Sequence, residues 1–226
     1  MTRAELARMI DHSVLKPEAT GGEIRAGADI VRSWHIGFYC VQPWWIKTAA
    51  EALAGTDARI VGVVGFPHGC DRSEVKARAA AIAAGDGADE IDMVMNLGAL
   101  KSGEAAAVAA DIEAVVRAVP DLPVKLILET AALTDAEKRL ACHLACDAGA
   151  RFVKTSTGFH PSGGATIDDV RLLRAAVGPE FGVKASGGIR SLADAQAMIG
   201  AGANRLGTSA SAAILGAIEA AESAGS

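Results

Sequence analysis

Two kinds of apolar pattern alternate along this chain. Short runs rich in Val, Ile, Leu and Phe read as strands: ARMIDHS at 7–13, IGFYCVQ at 36–42, RIVGVVG at 59–65, DEIDMVMN at 89–96, VKLILET at 124–130, RFVKTST at 151–157, GVKASG at 182–187 and NRLGTS at 204–209. Longer stretches with helical spacing separate them. Several of these open on a side-chain oxygen followed three residues later by an acid, namely Thr20 with Glu23, Thr134 with Glu137, Thr166 with Asp169 and Ser191 with Asp194, the pattern of a capping box. A Gly-Ala pair leads into a strand at 87–88, 149–150 and 202–203, so the same helix-to-strand joint recurs.

Strands alternating with helices predict parallel βαβ units. Eight such units in 226 residues predict an α/β fold of the (β/α)8 TIM-barrel type, with residues 1–226 as one domain, since no Pro/Ser-rich or charge-run stretch divides the chain. An open doubly wound sheet is the alternative, but the glycine-rich turn expected after its first strand is missing from DHSVLKPEATGG. In a barrel, chemistry collects at the carboxyl ends of the strands, where Asp92, Lys154 and Lys184 fall.

Lys154 shares its strand parity with Phe152 and Ser156, and Lys184 with Gly182 and Ser186, so both can face the interior. One reading has one or both lysines snorkel to solvent, or pair with an interior acid such as Asp92 or Glu129. The other makes them a reactive pair: ammonium groups ~5 Å apart at an effective dielectric of about 20 repel by roughly 3 kcal/mol, enough to raise the neutral, nucleophilic fraction of one of them about a hundredfold. A lysine activated in this way forms Schiff bases, and Asp92 would supply a carboxylate for proton transfer. Glycine-rich turns follow the last two strands, SGGIR at 186–190 and GTSAS at 207–211. The second leads directly into a helix whose first N–H groups suit a phosphate.

Composition narrows the field. A net charge of −5 argues against a nucleic-acid or anionic-membrane binder, so any anion must meet a local site. Glu5, Arg8 and Asp11 interrupt the amino terminus where a signal peptide needs an apolar run, and no apolar stretch approaches the roughly 18 residues of a membrane span. A cytoplasmic protein with reduced thiols is expected. The five histidines are scattered one per element, which argues against a metal site, and Cys142 and Cys146, one helical turn apart, read as core residues. Trp44 and Trp45 suit a pocket wall, a subunit contact or helix packing.

With these residues in view, the sequence resembles the deoxyribose-phosphate aldolases, class I aldolases built on a TIM barrel. DHSVLKP at 11–17, YCVQP at 39–43, VVGFPHG at 63–69, ADEIDMVMN at 88–96, FVKTSTGF at 152–159, VKASGGIR at 183–190 and NRLGTSA at 204–210 carry the likeness over nearly the whole chain. The resemblance implies that Lys154 forms the Schiff base, that Lys184 tunes its proton affinity, and that Asp92 works with Lys184 and a water in proton transfer. It further implies that Thr157, Gly158, Gly187, Gly188, Gly207 and Ser209 surround a phosphate, while Asp11, Ser13 and Cys40 line or support the small-aldehyde end. The implied substrates are 2-deoxy-D-ribose 5-phosphate, D-glyceraldehyde 3-phosphate and acetaldehyde, with no metal or organic cofactor, no nucleic acid or membrane partner, and a homodimeric assembly.

The chain departs from the family pattern at Ser13, where threonine is common, at Gln42, where asparagine is usual, and at Ala210, where some members have a second serine. The turn GFHPSGGAT is a residue longer than the common form and carries His160. The end, AAESAGS, lacks the terminal tyrosine of some longer members. The competing readings are another Schiff-base barrel, such as a transaldolase or keto-acid aldolase acting on a different donor, and a non-catalytic barrel that binds a sugar phosphate.

Overall fold

The computed structural model describes residues 1–224, with side chains described to residue 220. The tail AAESAGS therefore lies almost wholly outside the described side chains. Eight parallel strands, β1 (Ile10–Val14), β2 (Phe38–Val41), β3 (Arg59–Val64), β4 (Glu90–Val94), β5 (Val124–Ile127), β6 (Phe152–Lys154), β7 (Gly182–Ser186) and β8 (Arg205–Thr208), form a ring in chain order. The ring closes where β8 pairs with β1 through Ile10↔Leu206, Asp11↔Gly207 and His12↔Thr208. The predicted closed barrel is present, and the open sheet is excluded.

Ten helices accompany the strands among the described residues: α1 (Arg3–Met9) before β1, then α2 (Gly21–Ser33), α3 (Ile46–Ala52), α4 (Ser73–Gly85), α5 (Leu97–Lys101), α6 (Ala105–Ala118), α7 (Asp135–Asp147), α8 (Ile167–Val177), α9 (Leu192–Gly200) and α10 (Ser211–Ala224). The first predicted strand needs correction. Residues 7–9 belong to α1, where Leu6 and Ala7 are buried and Thr2 and Glu5 form a capping box, and the strand begins only at Ile10. Three of the predicted capping boxes are complete, at Thr20–Glu23, Thr134–Glu137 and Ser191–Asp194. At α8 only half forms: Thr166 accepts from the Asp169 N–H, but the Asp169 carboxylate is drawn away to Lys138 at 2.6 Å. The recurring joint has a backbone cause, because Gly87, Gly149 and Gly202 all hold φ between +84° and +114°, a region costly for a residue with a Cβ.

Strand alternation divides the core into two layers. Outward residues such as Ile91, Met93, Leu126, Val153, Val183 and Leu206 are buried against the helices. The inward positions are of two sorts. Those of β2 and β3 are apolar, with Cys40, Val61 and Val63 in one cluster beside Phe38, whereas those of β4 to β8 and β1 carry charge.

Candidate active site

The charged half of the interior is one connected cluster. On β4, Asp92 accepts from Lys125 of β5 through Oδ1 at 2.8 Å, and through Oδ2 from both Lys154 of β6 at 2.9 Å and Lys184 of β7 at 2.8 Å. The register sets Lys154 beside Lys184 and Asp92 beside Lys125, which is why the four converge. Lys184 also bonds Asp11 of β1. Arg205 of β8 spans from Asp11 at 3.0 Å to Glu90 at 2.9 Å, and Glu90 meets Lys125 at 2.6 Å. Below, Arg205 is stacked on Phe38, its guanidinium carbon 3.3 Å from the ring centroid.

The structure realises the pairing reading: both lysines meet an interior acid, Asp92, and they are neighbours across β6 and β7. Glu129 serves elsewhere. It accepts from the Thr157 backbone N–H at 3.2 Å and from the Thr157 hydroxyl, so it shapes the turn after β6. Burial alone would raise the Asp92 pKa, but Lys125, Lys154 and Lys184 outweigh it and hold the carboxyl well below the usual range. Burial likewise opposes charge on Lys184, yet Asp11 and Asp92 keep its pKa above that of an ordinary lysine. If all seven groups were ionised, Lys125, Lys154, Lys184 and Arg205 would face Asp11, Glu90 and Asp92, leaving one positive charge in excess. Lys154 is the least firmly held of the four cations in this cluster, since its one carboxylate contact there is an oxygen shared with Lys184.

A cavity of about 690 Å³ opens above the cluster, at the carboxyl ends of the strands. Lys154 and Lys184 border it, as do Asp11, Ser13, Cys40, Thr157, Gly158, Gly187, Gly188, Gly207 and Ser209. Asp92 is fully buried beneath the lysines and reaches the cavity only through them. Gly207 keeps the cavity wall open between β7 and β8, because a Cβ there would come within 2.9 Å of the Ser186 Cβ and 3.2 Å of the Lys184 Cε. The Cys40 thiol sits in the same wall and is pushed up to about 11, first by burial and then by Asp92.

Three of the departures from the family pattern have local accounts. Gln42 turns from the cavity and donates to the Leu15 carbonyl oxygen at 2.8 Å, tying down the turn after β1. The Ala210 N–H bonds the Thr208 hydroxyl at 2.9 Å, and His160 accepts from the Ser162 N–H at 3.2 Å within its own turn. Trp44 is exposed, while Trp45 packs over Gly21 at the start of α2. The predicted site residues omitted Lys125, Glu90 and Arg205. Parity would have found two of them, since Glu90 lies two residues before Asp92 and Arg205 two before Gly207. Among the described residues, no cluster of His, Cys, Asp and Glu is arranged to hold a metal ion, and no helix is long and apolar enough to cross a membrane.

Comparison with known proteins agrees with this geometry. The family model of the DeoC/LacD family aldolases matches residues 6–217. The deoxyribose-phosphate aldolase of Streptococcus gordonii is 52% identical over 211 residues, covering 93% of this chain and 96% of that one. That of Enterococcus faecalis is 51% identical over 212 residues with the same coverage. Among solved structures, the deoxyribose phosphate aldolase of Aeropyrum pernix, described as tetrameric, superposes with a TM-score of 0.90 at 31% identity, covering 97% of this chain and 93% of that one. A buried lysine cluster under a strand-end cavity and a family match across the barrel lead to one conclusion: the chain belongs to the DeoC/LacD family of aldolases.

Proposed function

We propose that this chain is a class I aldolase that reversibly cleaves 2-deoxy-D-ribose 5-phosphate to D-glyceraldehyde 3-phosphate and acetaldehyde, in the breakdown of deoxynucleoside sugars. The observation that carries this reading is Lys154 itself: an amine at the end of β6, open to the cavity, and sharing its carboxylate oxygen with a second lysine. In the cleavage direction the neutral Lys154 amine adds to the C1 aldehyde of the open-chain sugar. Loss of water gives a protonated imine. The C3 hydroxyl then gives up its proton, the C2–C3 bond breaks, and its electron pair flows to the imine nitrogen, releasing glyceraldehyde 3-phosphate and leaving an enamine. Protonation at C2 and hydrolysis release acetaldehyde and restore Lys154. Asp92 and Lys184, joined at 2.8 Å beside that nitrogen, are the pair through which protons travel by way of a water. The protonated imine is the electron sink, so the sequence of steps is complete without metal or organic cofactor.

The phosphate is assigned to the turns after β6, β7 and β8, with Gly158, Gly187, Gly188, Gly207 and Ser209 around it and Thr157 shaping the first turn. Ser209, two residues before α10, borders that cavity, as do the exposed cations Lys16 and Arg190. Asp11, Ser13 and Cys40 belong to the small-aldehyde end. We assign the protein to the cytoplasm and its assembly to a homodimer, which sedimentation would distinguish from the tetramer described for the Aeropyrum pernix relative.

Treatment with acetaldehyde and borohydride tests the chemistry. An ethyl group on Lys154, located by peptide mass spectrometry, supports the imine with this donor. Labelling by dihydroxyacetone or pyruvate in its place would point to a different aldolase, and no adduct with any donor would leave a sugar-phosphate-binding barrel.

A further inference from the structure

His12 takes no part in the chemistry above, yet it borders the cavity. It lies on β1 between Asp11 and Ser13 and so faces outward, 3% exposed. Its ring stacks on Tyr39, with centroids 5.9 Å apart and planes 20° from parallel. Tyr39 is itself immobilised, because its hydroxyl donates to the Ile24 carbonyl oxygen at 2.7 Å, and a Cβ at Gly27 would lie 2.4 Å from that hydroxyl. Held on this platform, His12 Nδ1 meets Ser211 Oγ at 3.0 Å. With the Ser211 hydroxyl directed at the Thr208 carbonyl oxygen, 3.4 Å away, the ring would present its Nδ1–H as donor. Burial holds the imidazole to about 4, which keeps it neutral and able to use one nitrogen in this way.

Ser211 opens α10, and Ser209 stands two residues earlier in the turn. The other end of that turn is pinned by Thr208, whose hydroxyl donates to the Ile189 carbonyl oxygen at 2.8 Å and accepts from the Ala210 N–H. Ser209 therefore sits between two side-chain anchors, one of which depends on β1. We propose that His12 is a positioning residue for the substrate phosphate: through Ser211 it fixes the 207–211 turn so that Ser209 and the first N–H groups of α10 face the anion. The inference rests on the phosphate end assigned above.

The experiment compares kcat and KM for 2-deoxyribose 5-phosphate and for 2-deoxyribose in the wild type, His12→Phe, His12→Asn, Ser211→Ala and the His12→Phe/Ser211→Ala double variant. Phenylalanine keeps the ring stack and loses the donor, whereas asparagine keeps an N–H where Nδ1 stood. Loss of one buried hydrogen bond predicts that His12→Phe and Ser211→Ala each lower the preference for the phosphorylated sugar by about 5- to 10-fold, mainly through KM. Asparagine should restore most of the preference, and the double variant should be no worse than either single one. A preference unchanged in both single variants, or a parallel fall on both sugars through kcat, overturns the assignment of His12 alone. A wild type without preference for the phosphorylated sugar overturns the phosphate reading and this inference together.

Discussion

Lys154 hangs on one shared carboxylate oxygen, whereas Lys184 is gripped by two carboxylates, and the proposed mechanism assigns the nucleophile to the less tightly held of the two. Lys154→Ala is expected to abolish both the borohydride-trapped adduct and sugar cleavage, a loss of at least about 1,000-fold, with the far-ultraviolet circular dichroism unchanged. His12 offers a residue-scale prediction of another kind. Its pKa is depressed to about 4 in the folded protein and is near 6.5 when unfolded, so the unfolded chain binds the extra proton first as pH falls. Its contribution is complete above pH ~6.5 and is lost progressively towards pH ~4, by up to about 3 kcal/mol. Urea unfolding of wild type and His12→Phe across that range should show the slope in the first and its reduction in the second. The two lysines were legible because an amine near the carboxyl end of an apolar strand, just before a glycine-bearing turn, stands out against its neighbours, whereas Lys125 lies near the start of its strand. Their shared acid was legible only as a candidate, since one-dimensional parity says which way a side chain points and not which partner it meets across the barrel.

Elements here are joined by a few polar links as well as by apolar faces. The Thr134–Glu137 box closes the amino end of α7, and Thr134→Ala should cost about 1 kcal/mol in chemical denaturation with kcat/KM untouched. A stronger link joins α4, α6 and β4: the fully buried Lys76 donates to Asp111 at 2.6 Å and to the Val94 carbonyl oxygen at 3.1 Å. Removing one partner strands the other charge, so Lys76→Met is expected to destabilise by about 3–5 kcal/mol and Lys76→Met/Asp111→Leu to recover most of that, as read by urea midpoints. Helix starts were legible in the sequence because a capping box is local, closed within four residues. The end of α1 was not, because Ala7, Arg8 and Met9 suit either a helix or a strand, and the packing of Leu6 and Ala7 decides. The half-formed box at Thr166 had the same origin: Lys138, on another helix, competes for Asp169.

At the scale of the whole molecule, the barrel carries its charges on one side of its interior and its apolar residues on the other. The eight-unit rhythm that predicts closure is a property of the whole chain and was legible from spacing alone. The ring of ion pairs was not, because Lys125, Glu90 and Arg205 become partners only once β4, β5 and β8 are wrapped round one axis. Asp11 and Asp92 are both held below the ordinary carboxylate range, so their contribution to stability is present above the unfolded value near ~4 and disappears as pH falls through the lower folded values. Acid unfolding monitored by tryptophan fluorescence should steepen below pH ~4, and Asp11→Asn should remove part of that steepness. The single positive charge by which the cluster exceeds neutrality also gives the proposed reaction a rhythm. The ammonium and the protonated imine leave that charge in place, while the free amine and the enamine cancel it. A medium of low polarisability favours the cancelled states, so this imbalance would draw electrons from the breaking carbon–carbon bond toward the Lys154 nitrogen as the protonated imine becomes the enamine.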